Sequence, residues 1–265
     1  MDIAGYFASV FIGIALGLIG GGGSILTVPV LVYLFRIDAA LATAYSLFIV
    51  GTTSAIGSVS YFKKGMVHIK TAIVFGIPSI ISVFLTRSFI VPVLPEEIFT
   101  LGNFTVIKKS MLLMLLFAVL MIFASYSMIK KCSGKNCLPA ETPNATTLQI
   151  IAQGVLVGFV TGLIGAGGGF LIIPALVNLL RLEFKKAIGT SLIIIASNSL
   201  FGFFVSLSHL TIDWIFLLKI LVLSIIGVFI GSFISKKIHG SKLKPAFGWF
   251  ILAMGIYIII KETLG

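Results

Sequence analysis

The chain has 265 residues, of which 58% are hydrophobic and 10% charged, with a mean hydropathy of +1.19. Soluble domains carry roughly 45–50% apolar and about 25% charged residues, so there are too few polar side chains here to cover a water-facing globule; soluble enzymes, nucleic-acid binders and disordered tails are excluded. The 19 Lys+Arg against 8 Asp+Glu give a net charge of +11, which would suggest nucleic acid on a soluble protein but on a membrane protein reflects basic cytoplasmic loops.

In lipid only helices and closed barrels satisfy their own backbone, and long continuous apolar runs favour helices over the alternation of a barrel. The expected fold class is an all-α polytopic membrane protein. Ten hydrophobic segments are predicted, near residues 3–19, 24–35, 39–62, 66–92, 109–129, 148–164, 169–180, 186–208, 212–235 and 244–261. The start, Met1-Asp2-Ile3-Ala4-Gly5-Tyr6, lacks a basic n-region, so the first segment is expected to be kept. A spanning helix needs about 20 apolar residues, which eight segments approach. The second and seventh are too short; each follows a glycine cluster and contains a proline, Pro29 and Pro174. Short Gly/Pro-interrupted segments in matching places point to a transporter binding site.

The two places match at a shift of 145 residues. Gly17-Leu18-Ile19-Gly20-Gly21-Gly22-Gly23-Ser24 falls on Gly162-Leu163-Ile164-Gly165-Ala166-Gly167-Gly168-Gly169. Pro29 meets Pro174, Arg36 meets Arg181, Asp38 meets Glu183, Ser46 meets Ser191, Ser54 meets Ser199, and Gly57 meets Gly202. Chance matching of Leu and Ile would not align Gly, Pro, Arg, acid and Ser together, so the chain contains an internal repeat. Five segments per half is an odd number, and corresponding segments must then run in opposite directions, forming two inverted five-segment repeats. The expected organisation is residues 1–130 as the first repeat, 131–147 as a cytoplasmic linker and 148–265 as the second repeat. One side would hold 13 basic residues, among them Lys63, Lys64, Lys130, Lys131, Lys185, Lys186, Lys236 and Lys237, and the other 6. The basic side is expected to be cytoplasmic, with both termini outside the cell membrane. Cys132 and Cys137, five apart in the linker, are expected as free thiols rather than a metal site.

Gly20, Gly21, Gly22 and Gly23, and Gly165, Gly167, Gly168 and Gly169, should break their helices near the midplane, because each interior Gly costs about 1 kcal/mol relative to Ala. Broken backbone in a membrane has to be buried or line a wet cavity. The segment that follows presents free N–H groups and a positive partial charge, and two such ends would make an anion site. Packing is the alternative reading of glycine, and it is preferred for Gly13-x-x-x-Gly17, Gly158-x-x-x-Gly162 and Gly227-x-x-x-Gly231. Gly22→Leu or Gly167→Leu is expected to abolish transport while leaving folding.

A polar set lies in the third and eighth segments: Ser46, Thr52, Thr53 and Ser54, and Thr190, Ser191, Ser197, Asn198 and Ser199. With Ser24, these hydroxyls and the amide could bind an oxyanion without burying a full charge; alternatively each hydroxyl bonds back to its own helix. Lys219 is expected to snorkel to the interface or to act as a substrate cation, and Arg87 carries the same ambiguity. His68 and His209 sit at segment ends. Arg36 with Asp38, and Arg181 with Glu183, suggest structural ion pairs or charge matching at helix ends. HExxH, GxSxG and GxGD motifs are absent, so no enzyme, cofactor or metal is expected.

The doubled pattern GLIGGGGSILTVPVLVYL and GLIGAGGGFLIIPALVNLL, each followed by A-x-x-x-S-L (Ala42 to Leu47 and Ala187 to Leu192), resembles the TauE/SafE family of sulfite-exporter membrane transporters. The resemblance runs from about Gly13 to Ile260. It implies a secondary transporter of small sulfur-containing anions such as sulfite, sulfoacetate or related organosulfonates, generally moved outward, with Gly20–Ser24 and Gly165–Gly169 as site regions. The linker and the loop Pro92–Lys108 depart from it. The partners expected are a small anion and the lipid bilayer, with no nucleic acid and the oligomeric state open. A channel-like protein or a carrier of another small organic anion is the alternative; a metal-cation carrier is disfavoured by acid-poor segments.

Overall fold

Helix starts are set by local capping. Asp38 accepts hydrogen bonds from the backbone N–H of Ala40 (2.9 Å) and Leu41 (3.4 Å), Asp213 from that of Phe216 (3.0 Å), and His68 Nδ1 from that of Thr71 (3.2 Å). Thr146 and Gln149 form a capping box. The computed structural model describes residues 2–93, 97–101, 105–129, 146–165, 167–207, 210–238 and 240–264. The linker through residue 145, with Cys132 and Cys137, and His209 lie outside them.

In chain order the elements are α1 (Asp2–Ile19), α2 (Gly22–Pro29), α3 (Ala39–Lys63), α4 (Ile69–Leu85), α5 (Val91–Val93), β1 (Glu97–Leu101), β2 (Thr105–Lys108), α6 (Lys109–Ile129), α7 (Thr147–Ile164), α8 (Gly169–Pro174), α9 (Phe184–Ser206), α10 (Trp214–Lys237) and α11 (Gly240–Leu264). Wider π turns extend α2 over Val30–Leu34 and α8 over Ala175–Leu179, and a third, Thr86–Ile90, joins α4 to α5. A proline lies beside each turn, and its ring clashes with the carbonyl four residues back while it donates no hydrogen bond, which accounts for the turn at Thr86–Ile90. Pro29 and Pro174 immediately precede two of these turns, and Pro92 lies four residues after Ser88 in the third.

The all-α expectation needs one correction. Residues 97–108 include an antiparallel hairpin, with Glu97 paired to Lys108 and Leu101 to Thr105. Its Ile, Phe, Thr and Val residues suit extended backbone, and the run is too short and polar at its ends to read as a spanning segment. Among the described residues seven helices are long and apolar enough to cross a membrane, with Gly5–Ile19 of α1 and Gly23–Leu34 as shorter apolar stretches; α1 itself, Asp2–Ile19, has the length expected of the first segment.

Helices pair across the two halves. Gly13 on α1 meets Gly227 on α10, and Gly17 meets Val228 and Gly231, so these helices run parallel. Gly154 meets Phe75, and Gly158 meets Ser79, so α7 and α4 run parallel as well. A Cβ on Gly227 would lie 2.9 Å from Gly13 Cα, and one on Gly158 would lie 2.8 Å from Ser79 Cα, which is the small-residue packing expected of those motifs. By contrast α3 and α9 run antiparallel: Leu47 packs on Gly202, Gly51 on Leu200 and Gly57 on Leu192. The pair α6 and α11 is antiparallel too, Gly248 meeting Ile129 and Gly255 meeting Ala118. The best spanning windows of α3 and α9 are 61% and 67% buried against 33–39% for the other five, which makes this pair the centre. Phe7, Phe11, Phe123, Phe229 and Trp249 project outward, fully apolar and exposed. So many large exposed hydrophobics are stable only in lipid, and the molecule is a multi-pass membrane protein.

Candidate functional site: two facing helix breaks

Both helix breaks form where the glycine clusters lie. α1 ends at Ile19, and Gly20 adopts a left-handed conformation (φ 79) while donating to Leu16 O at 2.7 Å. α7 ends at Ile164, and Gly165 does the same (φ 72), donating to Thr161 O at 2.8 Å. This is a left-handed helix C-cap, for which glycine is the residue of choice. The second break is longer, with Gly167 (φ 68) and Gly168 (φ 70) also left-handed before α8 begins at Gly169. In the first, Gly22 and Gly23 already belong to α2, so only Gly20 and Gly21 interrupt the helix, and the four-residue break expected there is shortened.

The breaks touch. A Cβ on Gly21 would lie 2.7 Å from Gly169 O, and one on Gly169 would lie 2.8 Å from Gly21 Cα. Side chains 145 residues apart close over them from the central helices: Ile188 of α9 over Gly20, and Thr43 of α3 over Gly165. Gly167 faces Ser199 Oγ and Val50 Cγ1, each 2.9 Å from where its Cβ would be, and Gly168 faces Thr161 Oγ1. Gly167→Leu would therefore strain both backbone and packing, so the expectation that it spares folding is withdrawn.

The polar set divides. Ser24 donates to Gly21 O (2.7 Å), Thr53 to Ile49 O (2.5 Å), Ser191 to Ile188 O (2.8 Å) and Ser197 to Ile193 O (3.0 Å). These hydroxyls are satisfied by their own helices, as is Thr190 through Lys186 O (2.8 Å). Thr52 is half-buried. Asn198 Nδ2 donates to Ser79 Oγ on α4 at 2.6 Å, tying α9 to α4, while its Oδ1 is buried and unpartnered. The hydroxyls of Ser46, Ser54, Ser199 and Thr161 are likewise buried without a partner among the described residues. Ser54 and Ser199 are repeat mates. Buried polar atoms without partners cost about 1–3 kcal/mol each, so Ser199 and Thr161, which face Gly167 and Gly168, ask for a ligand or water there. Thr161 was missed from sequence because its repeat mate is Leu16; its position one turn before Gly165 was the available signal.

Asp38 caps α3 and Glu183 occupies the equivalent position before α9, while Arg36 (φ 55) and Arg181 (φ 54) take left-handed backbone beyond the π turns. The paired acids and bases thus serve a turn repeated in both halves, the acids at the starts of α3 and α9 and the arginines in left-handed backbone. Lys219 is exposed, lining with Tyr6 and Leu218 a groove of about 610 Å³ on the outside of α1 and α10.

The family model described as "Sulfite exporter TauE/SafE" matches residues 6–258. The chain belongs to the TauE/SafE family. It is 30% identical over 261 residues to a "Probable membrane transporter protein" of Xylella fastidiosa (strain 9a5c), covering 95% of this chain and 92% of that one. It is 26% identical to the probable membrane transporter protein YjnA of Bacillus subtilis (98% and 100% covered) and 25% identical to YunE of the same organism (92% and 92%). As a TauE/SafE protein it is a membrane transporter, working on a small molecule in a lipid environment.

Proposed function

We propose that this chain is a secondary carrier of small sulfur-containing anions, sulfite, sulfoacetate or a related organosulfonate, moving them outward across the cell membrane. It would be built as ten segments in two inverted halves, residues 1–130 and 148–265, joined by a cytoplasmic linker, with both termini outside. The antiparallel packing of α3 on α9 and α6 on α11 supports the inversion. The observation that carries the functional reading is the contact between two glycine breaks, one from each half, bordered by buried hydroxyls that have no partner among the described residues. The site would comprise Gly20–Ser24 and Gly165–Gly169 with Ser46 and Asn198; Thr53, Ser191 and Ser197 would shape it through their helices, Thr52 from a half-buried position. Hydroxyl donors suit an oxyanion, since they can hydrogen-bond it from several sides without each burying a charge. The family description names sulfite, which supports the sulfur class.

Direction follows from the membrane potential. One elementary charge crossing 100 mV is worth about 2.3 kcal/mol; with the inside negative, anion export runs downhill and needs no coupling ion. Purified protein in liposomes on a current-recording membrane, given jumps of sulfite, sulfoacetate, thiosulfate, sulfate and acetate, should give saturable current for the sulfur oxoanions. Non-saturating current would indicate a channel, and current for acetate alone a carrier of carboxylates.

A further inference from the structure

Position 87 is a place beside a helix break where the two halves differ in charge. Arg87 lies in the π turn after α4 and donates from its guanidinium to Ser206 Oγ on α9. Shifted by 145, Arg87 becomes Ser232 and Ser206 becomes Tyr61, whose hydroxyl sits 3.4 Å from Ser235 Oγ. One half therefore holds a cation where the other holds neutral hydroxyls. The guanidinium faces the second break: its second terminal nitrogen is 2.5 Å from where a Gly165 Cβ would lie, and its Cδ is 3.7 Å from the Gly202 position. Arg87 Nε is buried without a partner among the described residues, as are Thr161 Oγ1 against Gly168 and Ser199 Oγ against Gly167.

An arginine does not shed its proton, and an unpaired charge inside a membrane segment is costly enough to mark function. Three carboxylates are engaged elsewhere: Asp38 and Asp213 cap helices, and Glu262 accepts from Tyr33 at 2.5 Å; Glu183 stands at the start of α9, the opposite end from Ser206. Ser206, a neutral hydroxyl, is the group that meets this cation.

We propose that Arg87 is the countercharge of the transported anion, binding one oxoanion head group at the Gly165–Gly169 break with donors from Thr161 and Ser199. The inference rests on the anion-carrier reading. It makes the cage asymmetric: the charged end of the substrate belongs to the second half, and the first break, Gly20–Ser24, is the neutral side. The planar guanidinium suits two oxygens of a sulfonate, sulfite or carboxylate at once.

Sulfoacetate- and sulfite-driven currents in liposomes test it with wild type, Arg87→Gln and Arg87→Lys. Arg87→Gln should raise the half-saturating concentration by roughly tenfold or more, with Arg87→Lys in between. An unchanged half-saturating concentration in Arg87→Gln, with wild type active, overturns the role of Arg87 and leaves the carrier reading standing. Wild type silent for every anion overturns both. Should the Arg87 variants fail to fold, Arg36→Lys/Arg181→Lys leaves Arg87 as the single arginine, open to phenylglyoxal in liposomes. Sulfoacetate, which does not react with phenylglyoxal, should slow its labelling several-fold while chloride does not; labelling of Arg87 that sulfoacetate leaves unchanged overturns the inference.

Discussion

Backbone sign separates glycines that look alike in sequence. Gly167 has φ 68 with Ser199 Oγ and Val50 Cγ1 both 2.9 Å from a would-be Cβ. An L-residue pays roughly 1–2 kcal/mol in that region, before any steric term. Gly167→Ala should lower the melting temperature by several degrees and reduce transport more than Gly76→Ala, whose Cβ would meet only Ile194 Cγ1 at 3.9 Å. Gly76 lies within α4, where Ala gains about 1 kcal/mol in helix propensity, so that variant should match or exceed wild-type stability. Arg36 gives the opposite case. Its φ of 55 suits glycine better, and Arg36→Gly should be stabilised by about 1 kcal/mol, less the extra freedom glycine gains when unfolded. Thermal unfolding in detergent measures all three. The polar residues were only partly legible at this scale: a serine's spelling does not say whether its hydroxyl bonds back to the helix, as in Ser191, or is left over, as in Ser199.

At the scale of elements, the glycine spacing of α1 and α7 has a mechanical meaning. Gly13 and Gly17 let α1 approach α10 until backbone meets backbone, and Gly158 and Gly162 do the same for α7 on α4. Gly13→Leu or Gly158→Leu would separate these pairs by the width of a side chain. Overpacking of this kind costs about 1–3 kcal/mol or more, and each variant should lose several degrees of melting temperature and monodispersity on size exclusion. These interfaces were read correctly from the Gly-x-x-x-Gly spacing because small residues at helical period leave few other uses in a membrane. The hairpin β1–β2 was not read, since short alternating stretches carry little signal beside long apolar runs. Likewise the π turns were visible only as prolines, because a widened turn changes hydrogen-bond partners and not residue pattern.

For the whole molecule, the proposed inverted arrangement makes an external prediction. A reporter active only in the cytoplasm should be silent when fused to the C-terminus and active when fused within the Lys-rich linker; activity at the C-terminus would reverse the topology. The membrane class and the long apolar helices were legible in the sequence, because burial in lipid imposes one solvent on every exposed face and one length on every span; the repeat was legible as residue matches at a shift of 145, and its inverted arrangement stays a proposal. The glycine breaks were legible as well, since runs of glycine are incompatible with a continuous helix. What only the tertiary structure decided is which groups meet across the halves. That Gly21 touches Gly169, that Asn198 spends its amide on Ser79, and that Arg87 stands beside Gly165 with Ser206 as its partner all depend on contacts between distant segments. Repeat logic even pointed away from Arg87 and Thr161, whose mates are Ser232 and Leu16. Symmetry in the sequence describes the scaffold, whereas a substrate with one charged end needs an asymmetric site, and that asymmetry exists only where the packed helices bring unequal residues to equivalent places.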